Sequence, residues 1–276
     1  MSTSHSILIT GCSTGIGLSA AQILHHRGYR VFAAVRKLED KKRLEDQGIS
    51  SLLLDVNDST SIRAAVDYVT AQTNGSLDAL INNAGFGVMG AVEDLTRESL
   101  KIQFETNVFG LQELTNLVIP IMRRQGHGRI INVSSILGLM TKKYCGAYCA
   151  SKYAVEALSD ALRLELHGSN IFVSLVEPGP ITSHFRDTAK MVHDQHIQPE
   201  TSAHRETYVN LMAQQAQEKE KSRFTLPPEA VVKKFIHALE SPRPKIRYYV
   251  TVPSYAGAFL KRLLPGRWFD ALVAGR

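Results

Sequence analysis

The chain has 276 residues, 44% of them hydrophobic and 21% charged, which is enough to bury a full core as one α/β domain. Its net charge of +6 comes from lysines and arginines spread along the chain, a distribution that argues against nucleic acid and leaves a membrane surface or a phosphorylated cofactor as the acidic partner. Met1 to Ser6 lacks the basic start and apolar run of a secretory signal, no apolar run approaches the ~20 residues of a membrane span, and Cys12, Cys145 and Cys149 form no C-x-x-C pair, so a reducing, cytoplasmic setting is expected.

Ser6 to Thr10 is a short apolar run that predicts a first strand, and Gly15 to His26 carries apolar residues at helical spacing. Between them lies Thr10-Gly11-Cys12-Ser13-Thr14-Gly15-Ile16-Gly17. Its glycines let the backbone turn sharply and approach a ligand, and the following helix offers unpaired amides to a phosphate. The pattern departs from G-x-G-x-x-G and lacks the G-K-[ST] of a nucleoside triphosphatase, which favours a dinucleotide. Arg30 to Val35 predicts the second strand. An acidic residue at its end would hold a ribose 2'-hydroxyl, but Arg36 and Lys37 stand there instead, which suits a 2'-phosphate and implies NADP(H). A solvated basic turn is the alternative.

Ser51 to Leu54 predicts a third strand ending at Asp55 and Val56, and Ile62, Ala65, Val66 and Val69 mark the next helix. Leu77 to Ile81 predicts a fourth strand, closed by the small residues of Asn82-Asn83-Ala84-Gly85-Phe86-Gly87. Leu95 to Met122 reads as one long helix with Asn107 in its middle, where a polar side chain needs partners if buried. Arg129 to Val133 is the fifth strand, ending in Ser134-Ser135, and Ile171 to Val176 is the sixth, followed by Glu177-Pro178-Gly179-Pro180-Ile181-Thr182. Alternating strands and helices specify a doubly wound parallel sheet of the Rossmann type, with ligands at the carboxyl ends of the strands.

Tyr148 and Lys152 stand four residues apart in a helical segment, on one face. An ammonium held close to a phenol stabilises the phenolate and pulls its pKa toward neutrality, so this tyrosine is a candidate acid or base. Tyr-x-x-x-Lys alone is common by chance.

With these motifs in order, the sequence resembles the short-chain dehydrogenase/reductase family from about Ser6 to Thr182. It is most similar to the subgroup of 17β-hydroxysteroid and retinol dehydrogenases and bacterial NADP-dependent aldehyde reductases. The motifs are Thr10-Gly11-x-x-x-Gly15-x-Gly17, Asp55, Asn82-Asn83-Ala84-Gly85, Asn107, Ser135, Tyr148-x-x-x-Lys152 and Pro178-Gly179 with Thr182. The resemblance implies a cofactor site of Gly11, Ser13, Thr14, Gly15, Ile16, Gly17, Arg36, Lys37, Asp55, Val56, Asn83, Ala84, Gly85, Tyr148, Lys152, Pro178, Gly179, Ile181 and Thr182, with catalysis by Asn107, Ser135, Tyr148 and Lys152. It implies that Tyr148 protonates a carbonyl oxygen as hydride arrives, Ser135 bonds that oxygen, Lys152 keeps the phenol acidic, and Asn107 holds a water that returns the proton. Tyr144 and Tyr153 are expected as packing or pocket wall. The expected activity is reduction of apolar aldehydes, retinaldehyde included, with steroid ketones as the alternative substrate and a catalytically silent NADP(H)-binding sensor or scaffold as the alternative class. The family also implies a homodimer or homotetramer.

Within one domain, residues 6–182 are expected to form the cofactor-binding and catalytic core, 183–226 a variable substrate lid, and 227–276 the C-terminal helices and last strand. His184, His193, His196 and His204 in the lid have irregular spacing, which favours solvated histidines over a metal site. Pro227-Pro228 starts a helix, and Tyr248 to Val252 reads as a seventh strand. Beyond it, Tyr255, Phe259, Leu260, Leu263 and Leu264 form an apolar stripe that resumes with Trp268, Phe269, Leu272 and Val273 among Lys261, Arg262 and Arg267. Two readings stand: a stripe packed on the domain or across a dimer, and an interfacial membrane contact through residues 254–276.

Overall fold

The computed structural model describes residues 5–210 and 224–274; residues 211–223 of the expected lid and the polar start at residues 1–4 lie outside this range. Seven strands form one parallel sheet: β1 (Ser6–Ile9), β2 (Arg30–Val35), β3 (Ser50–Leu53), β4 (Ala79–Asn82), β5 (Gly128–Val133), β6 (Ile171–Glu177) and β7 (Arg247–Tyr249). Their order is β3-β2-β1-β4-β5-β6-β7. The strands are buried on both faces because side chains alternate: Ile7, Ile9, Ile81 and Val133 enter one core, and Leu8, Leu80 and Ile130 the other.

The first core is roofed by α1 (Gly15–His26) and by α8 (Glu229–Glu240), the helix that follows Pro227-Pro228 and buries Val231, Val232, Phe235 and Ala238. Phe235 is fully enclosed, and truncating it to alanine would cost about 3–5 kcal/mol. The second core lies under α3 (Ser59–Gln72) and α5 (Leu111–Gln125). Helix α2 (Leu38–Glu45) connects β2 to β3, and α6 (Gly146–Glu165) carries Tyr148 and Lys152 between β5 and β6. The order reverses between β1 and β4, which opens a crevice at the carboxyl ends of those strands.

The long helix expected over 95–122 is helical without interruption from Arg97 to Gln125, but it widens in the middle. Helix α4 (Arg97–Phe104) passes into a turn of π-helix over Glu105–Gly110 before α5 begins. Two features of the local backbone accompany the wide turn. The Asn107 amide is aimed away from the helix axis at Phe86 and Ser151, and Gly110 approaches the carbonyl of Val56 so closely that a Cβ there would lie 1.9 Å from it.

The seventh strand stops at Tyr249 instead of reaching Val252. Thr251 adopts the cap position of α9 (Val252–Leu263), its hydroxyl 3.1 Å from that of Ser254, and Pro253 presets the first turn. Helix α10 (Gly266–Ala274) follows after a short turn at Pro265. The apolar stripe of this tail divides: Phe269 is buried and Leu260, Leu264 and Val273 are half-buried, while the rest is exposed. Helix α9 docks through Ser254, Gly257 and Ala258, while Val252, Tyr255, Phe259, Leu263, Trp268 and Leu272 face outward. None of the helices among the described residues is long and apolar enough to cross a membrane.

Candidate active site

The glycine turn after β1 is built from main chain. Gly11 has φ +72°, and a Cβ on it would meet Ala84 Cα at 2.9 Å; Gly15 has φ +56°. A Cβ on Gly17 would lie 2.2 Å from the Gly11 carbonyl oxygen and 2.6 Å from Asn83 Nδ2. The turn is stitched to the end of β4. Thr10 Oγ1 accepts the amides of Asn83 and Ala84 at 2.9 Å, and Asn83 Nδ2 donates to the carbonyls of Thr10 and Gly11. Thr14 precedes α1 without a side-chain cap bond, and the first turn of α1 holds no acidic residue. These amides and the positive helix end make a cradle for a phosphate, and the residues present fit a dinucleotide.

At the end of β2, Arg36 is exposed and engages no ion pair among the described residues, while Lys37 pairs with Glu39 at 3.4 Å. Arg43, which the sequence pattern did not single out because it sits on the solvated face of α2, reaches back to donate to the Ser13 carbonyl at 2.6 Å and pairs with Asp40. Asp55 forms a local turn, its carboxylate accepting the amide of Asn57 and its amide bonding Ser61, and Val56 is buried beside it.

The catalytic candidates meet across β5, α6 and the π turn. Asn107 is wholly buried and both its amide hydrogens are used: Nδ2 donates to the Phe86 carbonyl and to Ser151 Oγ, both at 3.0 Å, and Oδ1 accepts the Phe86 amide. Gln103, one turn earlier, grips the same loop through Val88 and Phe86. Asn107 thus ties the β4 loop to α6, and its side chain has no amide hydrogen left over for a water. Gly85 lies against Asn107 and Lys152, where a Cβ would sit 3.1 Å from Asn107 Oδ1 and 3.6 Å from Lys152 Nζ.

Lys152 is buried, donates to the Val133 carbonyl at 2.8 Å, and lies 5.7 Å from the centre of the Tyr148 ring. Burial lowers its pKa to about 8, against the opposing pull of the Glu156 carboxylate one turn on. Tyr148 is also buried, and that burial raises its phenol above the ordinary value; the Ser135 hydroxyl, a hydrogen-bond partner of the phenol, acts in the opposite direction. The expected depression of Tyr148 by the ammonium does not appear in this arrangement: desolvation raises the phenol, and Lys152 spends one hydrogen bond on the Val133 carbonyl. Burial favours the protonated phenol. Ser135 Oγ also accepts the amide of Leu137, which fixes its rotamer.

Phe185, the first residue of α7 (Phe185–His196), packs edge-on to Tyr148 with ring centres 5.2 Å apart, and Met89 and Phe185 close around Gly87. The wall above the phenol is apolar. Gly179 lies against Thr251 and Ser254, and Ile181 and Thr182 bridge to Leu226, so the loop after β6 is held from the C-terminal side. Tyr153 donates to the Leu139 carbonyl, while Tyr144 stands 3.3 Å from His204 Nδ1. Of the four lid histidines expected in solvent, His193 is instead buried, bonded to the Met89 carbonyl at 2.7 Å, because α7 folds back over the β4 loop. Tyr208 and Ser202 both donate to Asp94, which fastens this segment down.

Behind the site lies a charged cluster that sequence reading missed, since its members come from distant segments and carry no motif. Arg247 on β7 contacts Glu156 Oε2 at 3.0 Å, Asp160 at 2.6 Å and Glu177 Oε1 at 3.2 Å. The last contact lacks hydrogen-bond alignment, so both Glu177 oxygens and Glu156 Oε1 have no hydrogen-bond partner among the described residues. The Ser134 hydroxyl lies beside Glu156, and a proton on Glu177 would give the two carboxyls a donor between them. Burial, and then the neighbouring Glu156, raise Glu177 to about 8. Glu177 immediately precedes Pro178, and Glu156 faces Lys152.

Comparisons with known proteins agree with this geometry. The model of the short chain dehydrogenase family matches residues 5–192. The uncharacterized oxidoreductase YbbO of Escherichia coli K12 is 43% identical over 271 residues, covering 98% of this chain and 94% of the relative. Human 17-beta-hydroxysteroid dehydrogenase type 1 is 33% identical, covering 89% and 77%, and human retinol dehydrogenase 8 is 33% identical, covering 87% and 79%. A solved short-chain dehydrogenase from Streptomyces avermitilis superposes with a TM-score of 0.80 at 26% identity, covering 100% of this chain and 95% of that one. The chain belongs to the short-chain dehydrogenase family, as an oxidoreductase acting on a CH-OH or C=O group with a nicotinamide dinucleotide.

Proposed function

We propose that the protein is an NADPH-dependent reductase of apolar aldehydes. The observation that carries this reading is the buried Tyr148 beside Ser135, with Phe185 packed edge-on against its ring. When bound, the nicotinamide supplies the hydride. The chain's own groups do the rest. Tyr148 donates its phenolic proton to the carbonyl oxygen, and Ser135 offers that oxygen a second hydrogen bond as negative charge develops. Lys152, poised by burial near neutral pH, lies next to the phenol and lowers the cost of the phenolate left behind. With both Asn107 amide hydrogens used, its part is to hold the β4 loop and α6 in register, and the water expected there would be held through an acceptor oxygen of Asn107.

Arg36 and Lys37 directly after β2, with Arg43 at the Ser13 carbonyl, support NADPH over NADH, because the strand ends in cations that suit a 2'-phosphate and not in a carboxylate that would hold a 2'-hydroxyl. Residues 183–226 act as the lid, with Phe185 as its inner contact. Exposed Phe109 on the π turn and Leu158 and Leu164 on α6 support a homodimer through these helices, and the outward-facing Tyr255, Phe259, Leu263, Trp268 and Leu272 support a membrane contact through the C-terminal tail. Steroid ketones are the second reading, favoured by the likeness to a steroid dehydrogenase.

Two measurements test the proposal. NADPH oxidation is followed with fatty aldehydes, retinal and a keto-steroid; turnover on an aldehyde is expected, and silence on all three sinks the reading in favour of a sensor or scaffold. Arg36→Ala should weaken NADPH binding about 10-fold or more and leave NADH unchanged. Equal effects on both cofactors would remove the 2'-phosphate assignment.

A further inference from the structure

Helices α9 and α10 expose more apolar surface than the rest of the C-terminal region requires. Val252 and Phe259 are 65% and 63% exposed, Leu263 61%, Trp268 69% and Leu272 55%. On α9 these positions, with Tyr255, recur at i, i+3, i+7 and i+11 and make one unpartnered face. The opposite face is small by design: a Cβ on Gly257 would sit 2.8 Å from Met140 Sδ and 3.0 Å from Ile136 Cδ1. Phe269, the buried residue of α10, lies under Lys261 with the ammonium 5.1 Å from its ring. The two helices therefore form a short hairpin, docked by its small face and wet on its large one.

We propose that this outer face is a docking surface for an anionic phospholipid membrane, deepening the membrane contact named above and resting for its purpose on the reading that the substrate is apolar. Charge selects the occupant. Residues 252–274 carry Lys261, Arg262 and Arg267 against one carboxylate, Asp270, so the apolar stripe is flanked by net positive charge. A second copy of this chain would bring the same cationic face to meet it, which opposes association, whereas phosphate headgroups complement it. Trp268 and Tyr255 are amphipathic rings of the kind that settle at the headgroup level. At 12 and 9 residues the helices are too short to span, so the face lies in the interface plane.

The position of the hairpin gives the contact a use. The inner face of α9 rests on Ile136 and Met140, next to Ser135, and Ser254 and Thr251 rest on Gly179. One helix thus separates the bilayer from the loops that hold the substrate carbonyl. An apolar aldehyde dissolved in the membrane would reach the cleft without crossing water.

The test is flotation of the full chain with vesicles of phosphatidylcholine alone and of phosphatidylcholine containing phosphatidylglycerol. The wild type should float with the anionic vesicles at least ~10-fold more strongly than with the neutral ones, and lose that advantage in high salt. The pair Phe259→Glu with Trp268→Glu should remain at the bottom while reducing a short, water-soluble aldehyde at the wild-type rate. Wild type that stays at the bottom with both vesicles overturns the proposal. So does sedimentation showing a wild-type dimer that this double variant turns into a monomer, since a second copy then covers the face. Flotation does not depend on turnover, so a protein that floats and reduces no aldehyde refutes the substrate reading and leaves the docking surface standing.

Discussion

At the carboxyl ends of β1 and β4 the site is made of main chain, whereas at the ends of β5 and β6 it is made of buried side chains. The glycine turn excludes any Cβ at Gly17 and holds its shape through Thr10 and Asn83, with its cations left in solvent. The catalytic end buries Asn107, Lys152, Glu156 and Glu177, each of which must be satisfied by a neighbour from another element. The first region is rigid because backbone leaves no room. The second is rigid because polar atoms in low dielectric tolerate few alternatives. Steric change should therefore damage the first, and changes of charge or protonation the second.

The largest expected effect lies in the catalytic half. Tyr148→Phe removes the proton donor and adds no volume, so kcat should fall by roughly 10²–10⁴. Fluorescence titration should show NADPH affinity unchanged, and a variant that keeps near wild-type turnover would strip Tyr148 of its role. Gly17→Ala is the matching steric probe. Its methyl group cannot fit 2.2 Å from the Gly11 oxygen, so the turn must shift. A loss of about 1–3 kcal/mol in stability and of dinucleotide binding is expected, read by thermal unfolding and titration.

Arg247→Met separates the halves most clearly in stability. It leaves the buried Glu156 and Glu177 without their cation, while Asp160 keeps Arg163, and breaking a buried ion cluster in this way costs about 3–5 kcal/mol. An unfolding midpoint close to wild type would show the cluster to be dispensable. Arg36→Ala, at the exposed end, should leave that midpoint unmoved.

The smallest effect is a pH slope. Glu177 is raised in the folded state to about 8 from its ordinary value of 4.5, so the folded chain holds a proton that the unfolded chain releases first. Its stabilising contribution is full at low pH and is lost as pH rises from about 4.5 through about 8. Glu177→Gln should flatten that decline, making the variant gain on wild type between those limits. Parallel stability curves would show that the carboxyl holds no such proton.

Reading the sequence located the strands closely, because a parallel sheet buried on both faces demands short apolar runs and each run here is bounded by a glycine or a polar turn. It also placed Gly11, Gly17, Ser135, Tyr148 and Lys152 at one end of that sheet. It missed the π turn at Asn107, since nothing in a local pattern says that Gly110 must meet Val56. Arg43 escaped notice for a similar reason, being an ordinary surface residue until α2 folds beside Ser13.

By itself, then, the chain determined the alternation of strands and helices, the phosphate cradle and the pairing of Tyr148 with Lys152, all of which depend on neighbours within a few residues. Tertiary structure alone decided which titratable groups are buried and the direction of the C-terminal stripe. Desolvation depends on everything packed around a group, so Tyr148 rises where its lysine neighbour alone would have lowered it. A periodic stripe shows which residues share a face; only the contact of Gly257 with Ile136 and Met140 shows that on α9 it is the other face that docks.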